Sequence, residues 1–574
     1  MPEDFSKEIP APLLEVLRSR GVLERDELQA RFCWEPSELR EQILSPVGDK
    51  PIKGFDAAVK ALVGARDRKE TVVVHGDYDV DGMTGTAILW MTLRRSGINA
   101  GWTLPRRDGE GYGLSDASLE RCQRTEGVFG LPEGSDTTAT WVVSVDTGIT
   151  AVTQVAKAKE RGLKVIITDH HLPGEEFPEA AEVVLDPHQA GCEYPNKGLC
   201  GAGVAWKLGA AVMRAVGADA DSDPNRLLQL VALGTLADMV PLSLENIALV
   251  RLGLIELKER PLPGVAELMK SANVSTNHVP RGQELVFRVT PRLNSAGRLR
   301  KGEVAIRLLL AANQDEAHRM MEGLEALNHE RQALDQRITT EALNQAKHLC
   351  AADGTPPQAF LLSGETWHEG VSGIVAQRIA ERYGRPALIL APDPGQPEEW
   401  RGSGRSVPGV DLHSALARCA HILEKWGGHA QAAGLSLRKD RTAEFRAAFE
   451  VSVTEARAAA APKPVAGEAR ADFKDLSGEL LGWIEKMEPW GPTNQSPMFW
   501  TESVQVASVS KVGEGKHLRV SLKQGDLQLD GIGFGMGDQA SKLVSGQMVR
   551  VAFHPEWNEF RGRRSIQIRM KEIR

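Results

Sequence analysis

Five short motifs rich in carboxylate and imidazole stand in order within the first 242 residues. They are HGDYDVDG at 75–82, SVDTG at 144–148, TDHH at 168–171, LDPH at 185–188 and ADMVPL at 237–242. Apolar runs of strand character lead into three of them: VVV before His75, WVVSV before Asp146 and KVIIT before Asp169. Oxygen and imidazole donors delivered by separate strand ends into one cleft are what a pair of divalent metal ions requires. The pattern points to a metal-dependent phosphoester hydrolase.

Each motif alone has a plainer reading. An Asp-rich turn is commonly solvated, and an Asp at a strand exit commonly caps the next helix. An extended HGDYDVD segment would place His75, Asp77, Asp79 and Asp81 on one face, with Gly82 turning the chain into a helix near Thr84. His170 and His171, adjacent at a strand exit, are seldom core residues, and neutral imidazole is a common metal ligand. Asp186 precedes a proline and is read as structural. Several carboxylates are needed to balance two divalent ions. No Ser or Cys nucleophile motif accompanies them, so an activated water is the expected attacking group.

The elements that must position these residues follow from the hydrophobic pattern. From about 51 to 275, strands alternate with helical stretches, which reads as βαβ units on a mostly parallel sheet. An apolar helix over 227–236 presents Asp238 at its C-terminal end. A charged, periodic stretch from 316 to about 350 predicts a long helix bridging two domains. A second α/β segment spans 351–455, with QAFLLS and PALILA as strands; an Ala/Pro-rich linker covers 456–470. Beyond it HLRVSL, LQLDGIGF, MVRVAFH and SIQIRM suggest a small barrel over 471–574. Residues 1–50 are helix-prone and form an N-terminal extension, and 276–350 is the connecting segment.

At 574 residues the chain is long enough for several domains, and a net charge of −8 argues against a surface that coats nucleic acid everywhere. A local basic channel is compatible with that sum. No run of about 18 apolar residues predicts a membrane span. The first residues lack a secretory pattern, and six cysteines form no CxxC pair, so a cytoplasmic protein is expected.

A second set of residues suits anion binding. Ser372 and Gly373 lie in a Gly-rich turn entering a helix, where backbone amides can meet a phosphate. Arg401 and Arg405 surround two glycines in RGSGRS, and His429 sits among small residues in GGHAQAAG. Arg292, Asn294 and Arg298 form a polar loop with cationic ends; Arg106 and Tyr112 belong to a possible loop over the entry. Between 550 and 574 seven Lys/Arg face three Glu, a local charge of +4, with Trp557 and Phe560 interleaved among Arg561 and Arg563. Aromatic and cationic groups together suit a single strand, whose bases stack and whose phosphates pair.

HGDYDVDGMTGTA, EGYGL, VDTGI, TDHH, TLADMVPL, PRLNSAGRL, VSGIVAQRI, GSGRS and GGHAQAAG, in this order, resemble the DHH phosphoesterase superfamily and, within it, the RecJ-type single-strand-specific 5′→3′ exonucleases. The resemblance covers the chain from about residue 50 onward. It implies a DHH-type parallel-sheet catalytic domain, a second α/β domain joined by a long helix, and a C-terminal OB-fold barrel. It further implies two Mn2+ or Mg2+ ions, one on Asp79 and one on Asp81, bridged by Asp146 and completed by His170 and Asp238. His75 and Asp77 are further ligand candidates. His171 either supports the shell or touches the phosphate, and Asp169 supports the histidines. The implied activity is release of mononucleotides from single-stranded DNA in repair and recombination. Single-strand-binding protein and a helicase are expected partners of a monomer. Two other functions fit parts of the pattern: a superfamily hydrolase of oligoribonucleotides or other small phosphoesters, and a non-catalytic DNA-binding scaffold.

Overall fold

The computed structural model describes residues 8–22, 24–32, 35, 50–105, 113–219, 223–458, 467–560 and 563–574. Five strands form the first sheet: β1 (Thr71–Gly76), β2 (Asn99–Thr103), β3 (Trp141–Val145), β4 (Lys164–Thr168) and β5 (Val183–Leu185). They pair in the order β2-β1-β3-β4-β5, all parallel. VVV, WVVSV and VIIT are buried throughout, as a sheet covered on both faces demands. The order reverses between β1 and β3, so the chain diverges there on leaving the carboxyl ends of the strands and opens a crevice. Asp79 and Asp81 follow β1, Asp146 follows β3 and His170 follows β4, which brings them all to that crevice.

The acidic turn departs from the expected alternation. β1 ends at Gly76, and the next helix, Val80–Arg95, begins four residues before Thr84. Asp79 is its N-cap, accepting the Gly82 amide at 2.9 Å, and Asp81 lies in its first turn. Cap geometry wins over an extended run because it satisfies an amide at the helix start that would otherwise be unpaired. Asp79 and Asp81 therefore reach the crevice through a strand-to-helix turn and not as alternate residues of one strand.

The long helix runs Gln314–Leu349, capped by Asn313, and leads to a second sheet. Its strands are β6 (Phe360–Ser363), β7 (Ala387–Asp393), β8 (Gln396–Arg405), β9 (Lys425–Gly428) and β10 (Ala432–Arg438), in the order β6-β7-β8-β10-β9. The C-terminal strands are β11 (Ala469–Arg470), β12 (Phe499–Val512), β13 (His517–Gln524), β14 (Leu527–Gly533), β15 (Met548–Phe560) and β16 (Arg563–Ile573). Pairing of β12 with β15 closes β12-β13-β14-β16-β15 into a five-stranded barrel.

The N-terminal helices Ala11–Ser19 and Arg25–Phe32 contribute Leu13, Val16, Leu17 and Phe32 to the core of the barrel, beside Phe499 and Phe553. Arg20 grips Glu468 at 2.7 Å and Arg31 donates to Asn494 at 2.9 Å. The two ends of the chain thus share one core. Arg251, from the helix Leu244–Glu259, ties this unit to the catalytic half by donating to the carbonyls of Arg31, Lys486 and Glu488. Among the described residues no helix is long and apolar enough to cross a membrane.

Candidate metal centre and anion cleft

His170 Nε2 stands 2.9 Å from Asp146 Oδ1, 3.6 Å from Asp238 Oδ2 and 3.7 Å from Asp81 Oδ2. Asp146, His170 and His171 form one group of converging donors, and Asp81, His170 and Asp238 form another, with donor atoms inside 4.8 Å in each. Close as they are, His170 Nε2 and Asp146 Oδ1 lack hydrogen-bond geometry, and both stay buried without a hydrogen-bond partner. Such groups are normally satisfied. Donors that meet without bonding one another fit a cation held between them. Asp146 also has a left-handed φ of 63°, a strained conformation of the kind kept at functional sites.

Each donor is held from behind. The amides of Gly201 and Ala202, at the start of the helix Gly201–Ala215, donate to Asp81 at 2.6 and 2.9 Å, so a helix N-terminus faces the carboxylate. Asp169 accepts the amides of His170 and His171, the Ile149 amide at 2.9 Å, and His171 Nδ1 at 2.8 Å. That network fixes both imidazoles, as outer partners do in metal sites. Asp238 ends the helix Leu228–Asp238, where Met239 turns the chain with a φ of 56°. Asp79 lies next to this cluster and its charge acts on Asp146, while His75, Asp77 and Asp79 stand outside the two converging groups. His75 is wholly buried within β1. Asp186 is wholly buried and accepts the His188 amide at 2.6 Å.

The charges repel. Burial, then the neighbouring Asp81, push Asp146 well above the carboxylate range, raise Asp79, and carry Asp238 up to about 6. The hydrogen bond to Asp169 lifts His171 to about 9, so it is cationic at neutral pH. A carboxylate whose pKa is raised on folding adds stability below its unfolded value near 3.9, and loses it as pH climbs through the folded value. The metal-free protein should therefore lose thermal stability as pH climbs from about 4 to about 6 through Asp238, and further through Asp146, and Mn2+ should restore it because cations favour the ionised donors. Calorimetric melting curves would check this. Equal Mn2+-induced shifts in Tm at pH 5 and at pH 8 would contradict it.

Across the crevice lies a cleft of about 260 Å³, walled by Tyr78 and Asp79 on the metal side and by Ser372, Gly373, Arg401 and Arg405 on the other, with Asn294 and Arg298 at its edge. Ser372 and Gly373 lie in the helix Glu369–Tyr383, which His368 caps. Arg405 is partly buried, and burial lowers its pKa. It donates to the Gly404 carbonyl at 2.8 Å, and no carboxylate among the described residues forms an ion pair with it. A buried cation without a counter-charge is costly, and an anion in the cleft would supply one. Arg401, by contrast, has Asp393 at 3.4 Å.

Several expected contacts are placed elsewhere or lie outside the described residues. Arg292 is a brace: Glu325 accepts from it at 2.7 Å, and the Ser271 and Arg288 carbonyls take its other donors. His429 is exposed in the β9–β10 turn and does not line the cleft, to which Gly434 contributes instead. Trp557 is half-buried, with Arg564 4.2 Å from its ring centroid, so one face of the indole is already covered. Arg106, Tyr112 and Arg561 are outside the described residues, as are the side chains of Phe560 and Arg563, whose backbones pair in the β15–β16 hairpin.

Sequence reasoning missed an apolar groove of about 810 Å³ between the end of the Asp238 helix and the barrel. Met239 and Phe287 line it with 61% and 75% of their surface exposed, facing Trp490, Arg569 and Lys571. Phe287 sits on a π-helical turn, Leu285–Val289. The only hint in the sequence was LVFRV, which reads equally well as core.

Three family profiles match this chain: "DHH family, N-terminal domain" over 71–235, "DHHA1 domain" over 357–455 and "RecJ OB domain" over 468–572. The "Single-stranded-DNA-specific exonuclease RecJ" of Salmonella typhimurium is 34% identical over 594 residues, covering 99% of this chain and 97% of that protein. Its namesake in Bacillus subtilis is 32% identical over 527 residues, covering 91% of this chain, which spans 63% of that longer relative. RecJ of Thermus thermophilus in complex with Mn2+ superposes with a TM-score of 0.78 at 27% identity, covering 100% of this chain and 78% of that one. The Mg2+ complex of the same protein gives 0.73 at 25% identity, covering 100% and 77%. With all three modules matched in order, and a relative of similar length aligned nearly end to end, the chain belongs to the RecJ family.

Proposed function

We infer that this chain is a metal-dependent exonuclease that digests single-stranded DNA from its 5′ end and releases mononucleotides, in repair and recombination. The observation that carries the reading is the cleft itself. Asp79, whose neighbours include the carboxylate–histidine cluster, lines one wall, and a partly buried arginine with no described counter-charge, Arg405, lines the other. We propose that Asp79, Asp81, Asp146, His170 and Asp238 hold two Mn2+ or Mg2+ ions, with His75 and Asp77 contributing from further out. When bound, such a pair lowers the pKa of the attacking water and clamps the oxygens of an in-line displacement.

The protein's own groups do the rest. Asp169 holds Nδ1 of His171, which leaves the cationic ring's other N–H to donate to a phosphoryl oxygen. Arg405, with the amides around Ser372 and Gly373, receives the 5′-terminal phosphate. An end gripped beside the metals gives exonucleolytic cleavage, and a cleft of about 260 Å³ is on the scale of a single nucleotide rather than a duplex. The groove past Met239 and Phe287 carries the remaining strand toward the barrel. We also propose that a monomer of this enzyme works in the cytoplasm beside a helicase and single-strand-binding protein, since its strand specificity requires a supply of unpaired DNA.

The apolar groove and barrel favour a polymer over a small phosphoester. A size series of labelled single strands tests this with wild type and Phe287→Ala. Stacking is worth about 1–3 kcal/mol per base, so the variant should lose on the order of tenfold or more in kcat/KM on long strands. A dinucleotide, too short to enter the groove, should be cut equally well by both proteins. If wild-type kcat/KM does not rise with length, the small-substrate reading takes its place.

A further inference from the structure

The two walls of the cleft belong to different sheets, yet a short chain of backbone contacts joins them. Gly297 packs on the carbonyl of Tyr78, which neighbours Asp79; a Cβ at 297 would lie 2.1 Å from that oxygen. One residue on, the Arg298 carbonyl meets Gly370, where a Cβ would lie 2.2 Å away. Arg298 Nη1 donates back to the Gly370 carbonyl at 3.0 Å. Gly370 is two residues from Ser372, at the start of the helix that supplies the anion-side wall. Only glycine permits either approach.

An ion pair locks this stack. Arg300 donates to Glu369 Oε1 through Nη2 at 2.7 Å and Nε at 3.2 Å, with side-chain exposures of 19% and 7%. Arg300 holds a left-handed φ of 62°, which an arginine seldom adopts and which the surrounding contacts must maintain. Glu369 and Gly370 line the same cleft as Asp79 and Arg405, so the lock sits between the two walls.

We propose that the Arg300–Glu369 pair, with the Gly297–Arg298–Gly370 backbone stack, is the ruler that fixes the released product at one nucleotide. The inference rests on reading the cleft as the site of the 5′-terminal phosphate. With the phosphate anchored on one wall and the scissile bond presented at the other, the number of nucleotides cut off is the number that fits the span. A wall free to move outward admits a second nucleotide before the next phosphate reaches the metals. Arg300 and Glu369 are positioning residues, acting on product length and not on the chemical step.

The test is product length by mass spectrometry on a 5′-phosphorylated single strand, for Glu369→Gln, Gly370→Ala and the reversed pair Arg300→Glu/Glu369→Arg. Glu369→Gln weakens the lock, and Gly370→Ala forces the walls apart through an independent atom. Both should raise the dinucleotide share of early products by about tenfold or more over wild type. The reversed pair should return it toward wild type. The Mn2+-induced shift in Tm should stay at its wild-type value, because the donors are untouched. Variants that fold and bind Mn2+ normally, cut more slowly and still release only mononucleotides would overturn the ruler. Wild type releasing mixed lengths would instead overturn the end-anchoring reading beneath it.

Discussion

Replacing Asp146 by asparagine should abolish strand hydrolysis and, at the same time, make the metal-free protein harder to melt. The two effects have one origin. Asp146 is buried among Asp81, Asp79, Asp77 and Asp238, and burial with their repulsion pushes its pKa well up. Its Oδ1 faces His170 at 2.9 Å without a hydrogen bond, which leaves that oxygen available to a cation. Asparagine keeps the shape but removes the charge. Two-metal clamping lowers the barrier by several kcal/mol, so kcat should fall by about 10³ or more. Above the ordinary carboxylate range the neutral side chain relieves that repulsion, and the metal-free Tm should rise. The Mn2+-induced gain in Tm should shrink toward zero. Turnover above about one-tenth of wild type, roughly 1.4 kcal/mol in the barrier, would sink the assignment.

The meeting of Asp81, Asp146 and His170 in one crevice was legible because strand ends announce themselves. VVV, WVVSV and VIIT are buried runs, and the polar residue after each has nowhere to go but the crevice. The turn at 77–82 was misread because alternation describes strands, and the chain had already left β1 when it reached Asp79. The clamp on Asp81 could not be read at all, since the Gly201 amide that holds it comes 120 residues later. Arg292 shows the converse failure: an arginine in a polar loop reads as a DNA contact until Glu325, on the bridging helix, takes its charge.

The ends of the chain make the same point about packing. LLEVLRSRGVL is visibly amphipathic, but nothing in it names the partner for its apolar face. The partner turns out to be the barrel, with Arg20 reaching Glu468 across 448 residues. A single-domain picture of the strand-binding module therefore omits part of its core. Phe287 was hidden for a related reason: sequence pattern distinguishes apolar from polar, and not a buried phenylalanine from one held out over a groove.

Arg405 is where motif and structure combine, and its removal should change which ends the enzyme accepts. The motif RGSGRS placed it near an anion; the structure adds that burial lowers its pKa and that no described carboxylate balances it. In the free protein that charge is a burden, so Arg405→Met should leave Tm unchanged or raise it. On a 5′-phosphorylated strand the same charge forms hydrogen bonds worth about 1.5–3 kcal/mol, so kcat/KM should fall by about 10- to 100-fold in the variant. A strand ending in a 5′-hydroxyl offers no dianion to grip, and its cleavage should change by less than about threefold. The readout is the ratio of the two rates, which a general loss of folding or of metal would leave constant. If both strands lose activity in equal proportion, Arg405 shapes the cleft without touching the terminal phosphate, and the anchored end must be sought along Arg298 and Arg401 instead.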